Sequence, residues 1–324
     1  MNNSNTRTIL EISIMAVLST MFYLAAIYVP LIGYLIFLTP IFYAIIGIKN
    51  GTDKVFAMII GSFFMTFMIS GFVNAIILVL IGGINGVIFS EIVRHKKNKS
   101  TLILSLTGGY VLAFSIGIIL VQYLTKIDLF TSINSQVLIY KDVINSTFDS
   151  LKTIGTYEES LIENMRVGYI ASVDQIISVV KMSLPFLLIS ISALSSLLTA
   201  TFGYKILRKL NIEVVEEKKY KDFRYPNHIT WGTTLIVVMS FLAIKMGIIN
   251  SDILSINILL IMMLVFSIQG LSTIFYYMDK KNMNKILKVI FIIVLIFLKP
   301  MLVLALLGWT DAIFDFRKIN NRTI

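Results

Sequence analysis

Catalysis within a membrane needs acids, bases or metal ligands gathered at one point, and this chain has few side chains to gather. Its only histidines are His95 and His228, both between apolar runs and neither in a metal-ligand motif. There is no cysteine, which removes disulfides and thiolate metal sites. No G-x-x-x-x-G-K-[ST] sequence occurs, so the chain is not its own ATPase, and no serine lies in a G-x-S-x-G nucleophile elbow. These observations point away from an enzyme, and no cofactor or metal is expected.

What remains are amides and ionisable groups inside apolar runs, where burial costs free energy until a partner is found. Asn85 sits beside Gly82, Gly83 and Gly86. Glycines there allow close backbone approach, either by another helix or by a ligand, so Asn85 reads as a packing amide or as a substrate-orienting one. Asn74, Gln122 and Lys245 fall toward the outer face of their segments, whereas Gln269 sits mid-segment, followed by Gly270. Asn74, Asn85, Gln122 and Gln269 form the candidate ligand-binding set. Interhelical bonding is the plainer use of Gln269, and Lys245 can snorkel to headgroups. Glu11 and Glu91 have Arg7 and Arg94 close by in sequence, which suits interfacial ion pairs.

The elements that must position these residues follow from composition. Hydrophobic residues make up 57% of the 324 positions and charged ones 14%, against about 25% charged in a soluble domain. A bilayer must therefore be part of the solvent. A helix needs about 20 apolar residues to cross ~30 Å of hydrocarbon. That ruler marks nine runs: 9–28, 31–48, 55–72, 73–93, 102–124, 184–206, 230–249, 253–278 and 286–309. The fold class is all-α, a polytopic transmembrane bundle of about nine spans. Three regions result: a five-helix membrane region over 1–124, an extramembrane segment over 125–183, and a second membrane region of about four spans over 184–324. The first run has no cleavage site after it and is expected to stay as a signal anchor.

Segment 125–183 mixes charges of both signs with apolar residues at helical spacing. Val137, Tyr140, Ile144, Phe148 and Leu151 form one series, and Leu161, Met165, Tyr169, Val173 and Ile177 another. Gly155 separates them. Two amphipathic helices over the outer mouth of the bundle are expected, the alternative being a solvated connector.

Loop charge gives orientation. Arg7, Lys49, Lys54, Arg94, Lys96, Lys97, Lys99, Lys205, Arg208, Lys209, Lys218, Lys219, Lys221, Arg224, Lys280, Lys281 and Lys285 all fall on one side if the N-terminus is cytoplasmic, whereas the turns at 29–30 and 70–74 carry no basic residue. The net charge of +10 is thus dispersed over loops rather than gathered on one face, and nucleic acid is not an expected partner. The tail is harder to place, because nine spans put Arg317, Lys318 and Arg322 outside. Lys299-Pro300 interrupts the last run, which is either one kinked span, the preferred reading, or a shallow hairpin returning the tail to the cytoplasm.

Two resemblances can be stated. Gln269-Gly270-Leu271-Ser272, Leu307-Gly308-Trp309-Thr310-Asp311 and Asp315-Phe316-Arg317-Lys318 resemble the YybS-type membrane proteins of Gram-positive bacteria, which implies a bacterial cell membrane and carries no activity. Residues 5–125 resemble the substrate-binding S components of energy-coupling-factor transporters. The supporting features are Thr6-Arg7-Thr8-Ile9, Ile14-Met15-Ala16-Val17-Leu18-Ser19, a proline-bearing second run (Pro30, Pro40) and the glycine-rich fourth. This second resemblance implies a partner-docking face at Ser13, Ala16 and Thr20, where Thr20 replaces the usual alanine. It also implies a small-molecule ligand near the outer face, with transport energised by a separate ATPase module or an ion gradient. The competing expectation is a non-transporting membrane scaffold or assembly factor that contacts other proteins.

Overall fold

The computed structural model describes residues 3–155, 158–215, 220–225, 227–247, 251–298 and 301–318, which are helical almost throughout and contain no strand. Among them, seven helices are long and apolar enough to cross a membrane: Thr6–Tyr28, Pro30–Asn50, Thr52–Ser70, Phe72–Arg94, Lys99–Thr125, Leu184–Lys209 and Ile253–Lys280. The protein is an all-α polytopic membrane protein. It divides into two compact units, one of Met1–Lys181 with Ile191–Glu216 and one of Met182–Ser190 with Glu217–Ile324.

In the first unit, α1 (Asn3–Tyr28) leads into a 3-10 segment (Pro30–Leu38) that continues as α2 (Thr39–Asn50). Pro30 and Pro40 each stand in the first turn of their element, where the missing N–H has no helical partner to lose. α3 (Thr52–Ser70) ends at Gly71, whose φ of +86° reverses the chain where the sequence shows two abutting runs. The next crossing is built from α4 (Phe72–Leu78), a π-turn (Val79–Ile84) and α5 (Asn85–Arg94). α6 (Lys99–Thr125) is capped by Asn98, whose Oδ1 accepts the Thr101 N–H at 2.8 Å. α9 (Leu184–Lys209) packs its later turns against α6 through hydroxyls, with Tyr110 to Thr199 at 2.6 Å and Thr107 to Ser196 at 2.8 Å. Thr199 also donates to the Phe37 carbonyl at 2.7 Å. Such bonds suit helix pairing in lipid, where apolar contacts between helices gain little over contacts with acyl chains. The core around them includes Ile41, Phe89, Leu106 and Tyr204.

Segment 125–183 folds as two helices, α7 (Leu129–Ile154) and α8 (Glu159–Met182), with Gly155 at φ +70° ending the first. They pair with each other as an antiparallel hairpin. Lys181 meets Asn134 (2.5 Å), Lys141 meets Asp174 (2.6 Å), Arg166 meets Asp149 (3.3 Å) and Lys152 meets Glu163 (3.3 Å), so one helix ascends as the other descends. Val137, Phe148 and Ile162 are buried along the seam. Asp128 starts α7 by accepting the Phe130 and Thr131 N–H groups at 2.6 and 3.2 Å.

These polar staples carry a pH dependence. The Arg166 guanidinium, and after it the Lys152 ammonium, hold the Glu163 carboxyl below its ordinary value of 4.5. A depressed folded pKa gives stability that is present above the unfolded value and lost as pH falls through the folded one. Spin labels at Ser135 and Ser178, on the outer sides of α7 and α8, are expected to report a narrow distance distribution at neutral pH that broadens only once the pH falls below the ordinary carboxylate range. A distribution already broad at neutral pH contradicts the paired hairpin.

In the second unit, Asn257 clasps the start of α9. Its Nδ2 donates to the Met182 carbonyl at 2.7 Å, and its Oδ1 accepts the Phe186 N–H at 2.9 Å. α10 (Asn227–Lys245) and α11 (Ser251–Lys280) precede α12 (Lys285–Leu298) and α13 (Met301–Phe314). The span count of nine is not reached by length. The apolar stretch of α10 runs over Ile229–Lys245, and the expected ninth span is two helices of 14 residues, about 21 Å each against ~30 Å of hydrocarbon. Lys299-Pro300 lies outside the described residues, as do Lys218, Lys219 and Arg322. α12 begins at the Lys280 end of α11, because Lys288 pairs with Asp279. The end of α13 returns there too, since Arg317 donates to the Lys221 carbonyl at 2.7 Å and the Lys221 ammonium meets Asp279 at 2.9 Å. The run is thus two helices that each meet α11, and the choice between one kinked span and a returning hairpin turns on Lys299-Pro300, outside the described residues.

Candidate functional site

The expected ligand-binding residues do not converge through hydrogen bonds. Asn74 donates to the carbonyl and the hydroxyl of Ser70 at 2.9 and 2.7 Å, closing its own turn. Asn85 is fully buried and donates to the Ile81 carbonyl at 3.0 Å. Its Oδ1 lies against Gly109 of α6, where a Cβ would come within 2.4 Å, so the amide interlocks two helices. The neighbouring glycines serve packing as well: a Cβ on Gly86 would meet Tyr43 at 2.3 Å and the Pro40 carbonyl at 3.0 Å. Gln122 is half-buried on α6, and among the described residues no hydrogen bond links it to Asn74 or Asn85. On α1, Ala16 and Thr20 are buried within the unit, leaving Ser13 as the one exposed member of the implied docking face. Intramolecular packing occupies most of that face. Glu11 and Glu91 pair with Arg7 and Arg94 at 3.3 and 2.9 Å, the interfacial role expected for them.

Gln269 belongs to a buried polar clamp in the second unit. Arg317 and Asp311 have no exposed side-chain surface, and their closest approach is 2.8 Å. The Arg317 Nε donates to both Asp311 oxygens at 3.2 and 3.0 Å. Its Nη1 donates to the Lys221 carbonyl and to Ser272 Oγ at 2.7 and 2.8 Å, and its Nη2 to the Phe223 carbonyl at 2.9 Å. Gln269 donates to Asp311 at 3.0 Å and accepts the Tyr225 N–H at 3.1 Å. Around this centre, Arg224 meets Asp315 at 2.7 Å. A guanidinium has five N–H donors, and here they reach one carboxylate, one hydroxyl and two loop carbonyls. The arrangement binds segment 220–225 to the α11–α13 crossing and leaves Arg317 no donor direction for a ligand. The clamp is structural.

It forms because α11 and α13 touch backbone to backbone. A Cβ at Gly270 would stand 1.9 Å from the Leu304 carbonyl oxygen, and one at Gly308 the same distance from that of Phe266. Trp309 then reaches Thr234 of α10 at 3.1 Å. Sequence reasoning missed the Asp311–Arg317 pair. The signal was a carboxylate in an apolar helix with an arginine six positions on.

The remaining site is a surface. With about 100° per residue, the hairpin ion pairs fall to one side of the α7–α8 seam. A quarter-turn to the other side, α7 carries Tyr140, Val143, Thr147 and Ile154, and α8 carries Leu161, Met165, Tyr169, Ser172, Ile176 and Val179. All ten are exposed. Because the helices are antiparallel, the same rotational offset on each puts both stripes on one face of the hairpin. That face holds no charge; the opposite face holds Asp149, Lys152, Glu163 and Asp174. The geometry suits a contact made by apolar surface.

Comparisons with known proteins agree with the membrane assignment. Over 318 residues the chain is 24% identical to Uncharacterized protein YybS of Bacillus subtilis (strain 168), covering 96% of this chain and 98% of that one. No solved structure matches it. The description "Predicted membrane protein (DUF2232)" matches residues 17–312, which take in both glycines of the α11–α13 crossing together with Gln269 and Asp311, and the chain belongs to that family.

Proposed function

We propose that this protein is a non-catalytic scaffold of the bacterial cell membrane, whose helical bundle anchors the α7–α8 hairpin as a contact surface for protein. One observation carries the reading: the hairpin's ion pairs are gathered on one face, and an uncharged apolar stripe is exposed on the other. Contiguous exposed apolar surface on a folded element marks an interaction site. Small-molecule transport of the S-component type draws less support, because Asn74 closes the α3–α4 turn on Ser70 and, among the described residues, no hydrogen bond brings it together with Asn85 or Gln122. Positive loops on the cytoplasmic side would set the hairpin on the outer face of the membrane.

The chain has no cysteine, so single cysteines report one position each. In native membranes, Ile176→Cys is expected to react with a water-soluble maleimide several-fold more slowly than Ser178→Cys. Both positions are exposed in the isolated chain, so equal rates would sink the scaffold reading.

A further inference from the structure

The uncharged face of the hairpin also indicates its occupant. Gly168 stands in mid-helix on α8, one residue before Tyr169 and on the same stripe as Met165 and Ser172. Beyond its own helical turn, no described residue lies within 4 Å of where its Cβ would be. A glycine inside a helix costs about 0.5–1 kcal/mol relative to alanine, and no neighbour among the described residues accounts for it here. A notch of this kind suits the close approach of another helix. Beside it, the Tyr169 ring packs on Phe148 at 5.6 Å between centroids, tilted by 47°, and still leaves 55% of the residue exposed. Notch and knob thus sit side by side on one patch. An isologous contact requires this, because the same surface must supply both halves.

We propose that two copies of this chain pair through the uncharged face of the α7–α8 hairpin, the Tyr169 ring of each seated over the Gly168 notch of the other, giving a four-helix contact. This rests on the scaffold reading above and names its partner. Charge agrees: the two stripes hold no Asp, Glu, Lys or Arg, so a two-fold axis brings no like charges together. A lipid surface is the poorer occupant. Membrane-surface helices set cations beside their apolar stripe, whereas Lys141, Lys152 and Arg166 are engaged in ion pairs toward the other face. Area agrees as well. The eight large apolar side chains of the face are from 46% (Met165) to 70% (Ile154) exposed. At on the order of 100 Å² each, they approach the roughly 800 Å² per partner of a standard interface.

The test is disulfide cross-linking of the full-length chain in native membranes. Under mild oxidation, Met165→Cys and Ser172→Cys are expected to form a covalent dimer of twice 36.5 kDa. Asp142→Cys and Ser178→Cys, on the opposite face, are expected not to. Adding Gly168→Leu, which fills the notch from an open surface position, should lower the Met165→Cys dimer yield roughly tenfold, while Gly168→Ala should keep the chain folded as its control. No dimer from either stripe position, or equal dimer from all four positions, overturns the pairing. A bifunctional maleimide adduct of Met165→Cys with a different mass overturns self-pairing yet leaves the scaffold reading standing. Stripe cysteines that react as freely as Ser178→Cys overturn both.

Discussion

Arg317→Ala is expected to destabilise the second unit by about 3–5 kcal/mol, the cost of breaking a buried ion pair from one side. The loss exceeds one contact. Removing the guanidinium leaves Asp311 buried with only the Gln269 amide, and strips donors from Ser272 and from the Lys221 and Phe223 carbonyls. Asp311→Ala alone should cost a similar amount, because the arginine then stays buried without its counter-ion. A paired Asp311→Leu, Arg317→Met replacement should recover much of the loss, since apolar residues of similar volume often replace a buried ion pair without penalty. Thermal unfolding in detergent, followed by Trp309 fluorescence in a Trp231→Phe background, measures all three. If the single variants unfold like the parent, the clamp does not hold this unit together.

Gly308→Ala and Gly270→Ala are expected to be as severe, by more than about 3 kcal/mol, through overpacking and not through lost bonds. Each added methyl group would lie 1.9 Å from a carbonyl oxygen of the facing helix. Backbone cannot yield as a side chain can, so α11 and α13 must separate. That separation would also pull Asp311 away from Gln269. Gly232→Ala on α10 is the contrasting case: beyond its own helical turn no described residue lies within 4 Å of its Cβ position, and the change should be neutral or stabilising by up to about 1 kcal/mol. The same fluorescence melt distinguishes these outcomes, and a Gly308→Ala chain with the parental transition would contradict the crossing.

Much of this fold was legible in the sequence because the bilayer imposes a length and a polarity on every crossing. Seven of the expected runs became helices of full length, and Gly155 divided the outer segment where its two apolar series meet. The end of the chain was less legible. Hydropathy scores 286–309 as one apolar run, but it cannot register that Asp311 needs a cation and that Arg317, beyond the run, supplies it. The candidate site was less legible still. Asn74 and Asn85 look like ligand contacts by type and depth, yet each donates to a carbonyl four residues back, Asn74 across the Gly71 turn to the end of α3, while Asn85 Oδ1 stays buried without a hydrogen bond. Ala16 and Thr20 read as a free docking face, although small residues serve helix packing within one chain equally well. The hairpin stripe was visible as periodicity in Leu161, Met165 and Tyr169. Its separation from the ion-pairing face appears only once the α7–α8 register is known.

A cysteine alkylation scan through residues 160–180 in native membranes tests the central claim most directly. Two protected sets are expected. One is the seam inside the hairpin, at Ile162, Ile170, Val173 and Ile177, and the other is the stripe at Leu161, Met165, Tyr169, Ser172, Ile176 and Val179, each recurring about every 3.5 residues. Protection of the seam alone, with the stripe reacting as fast as Ser178, would mean that nothing covers this face and would contradict the scaffold.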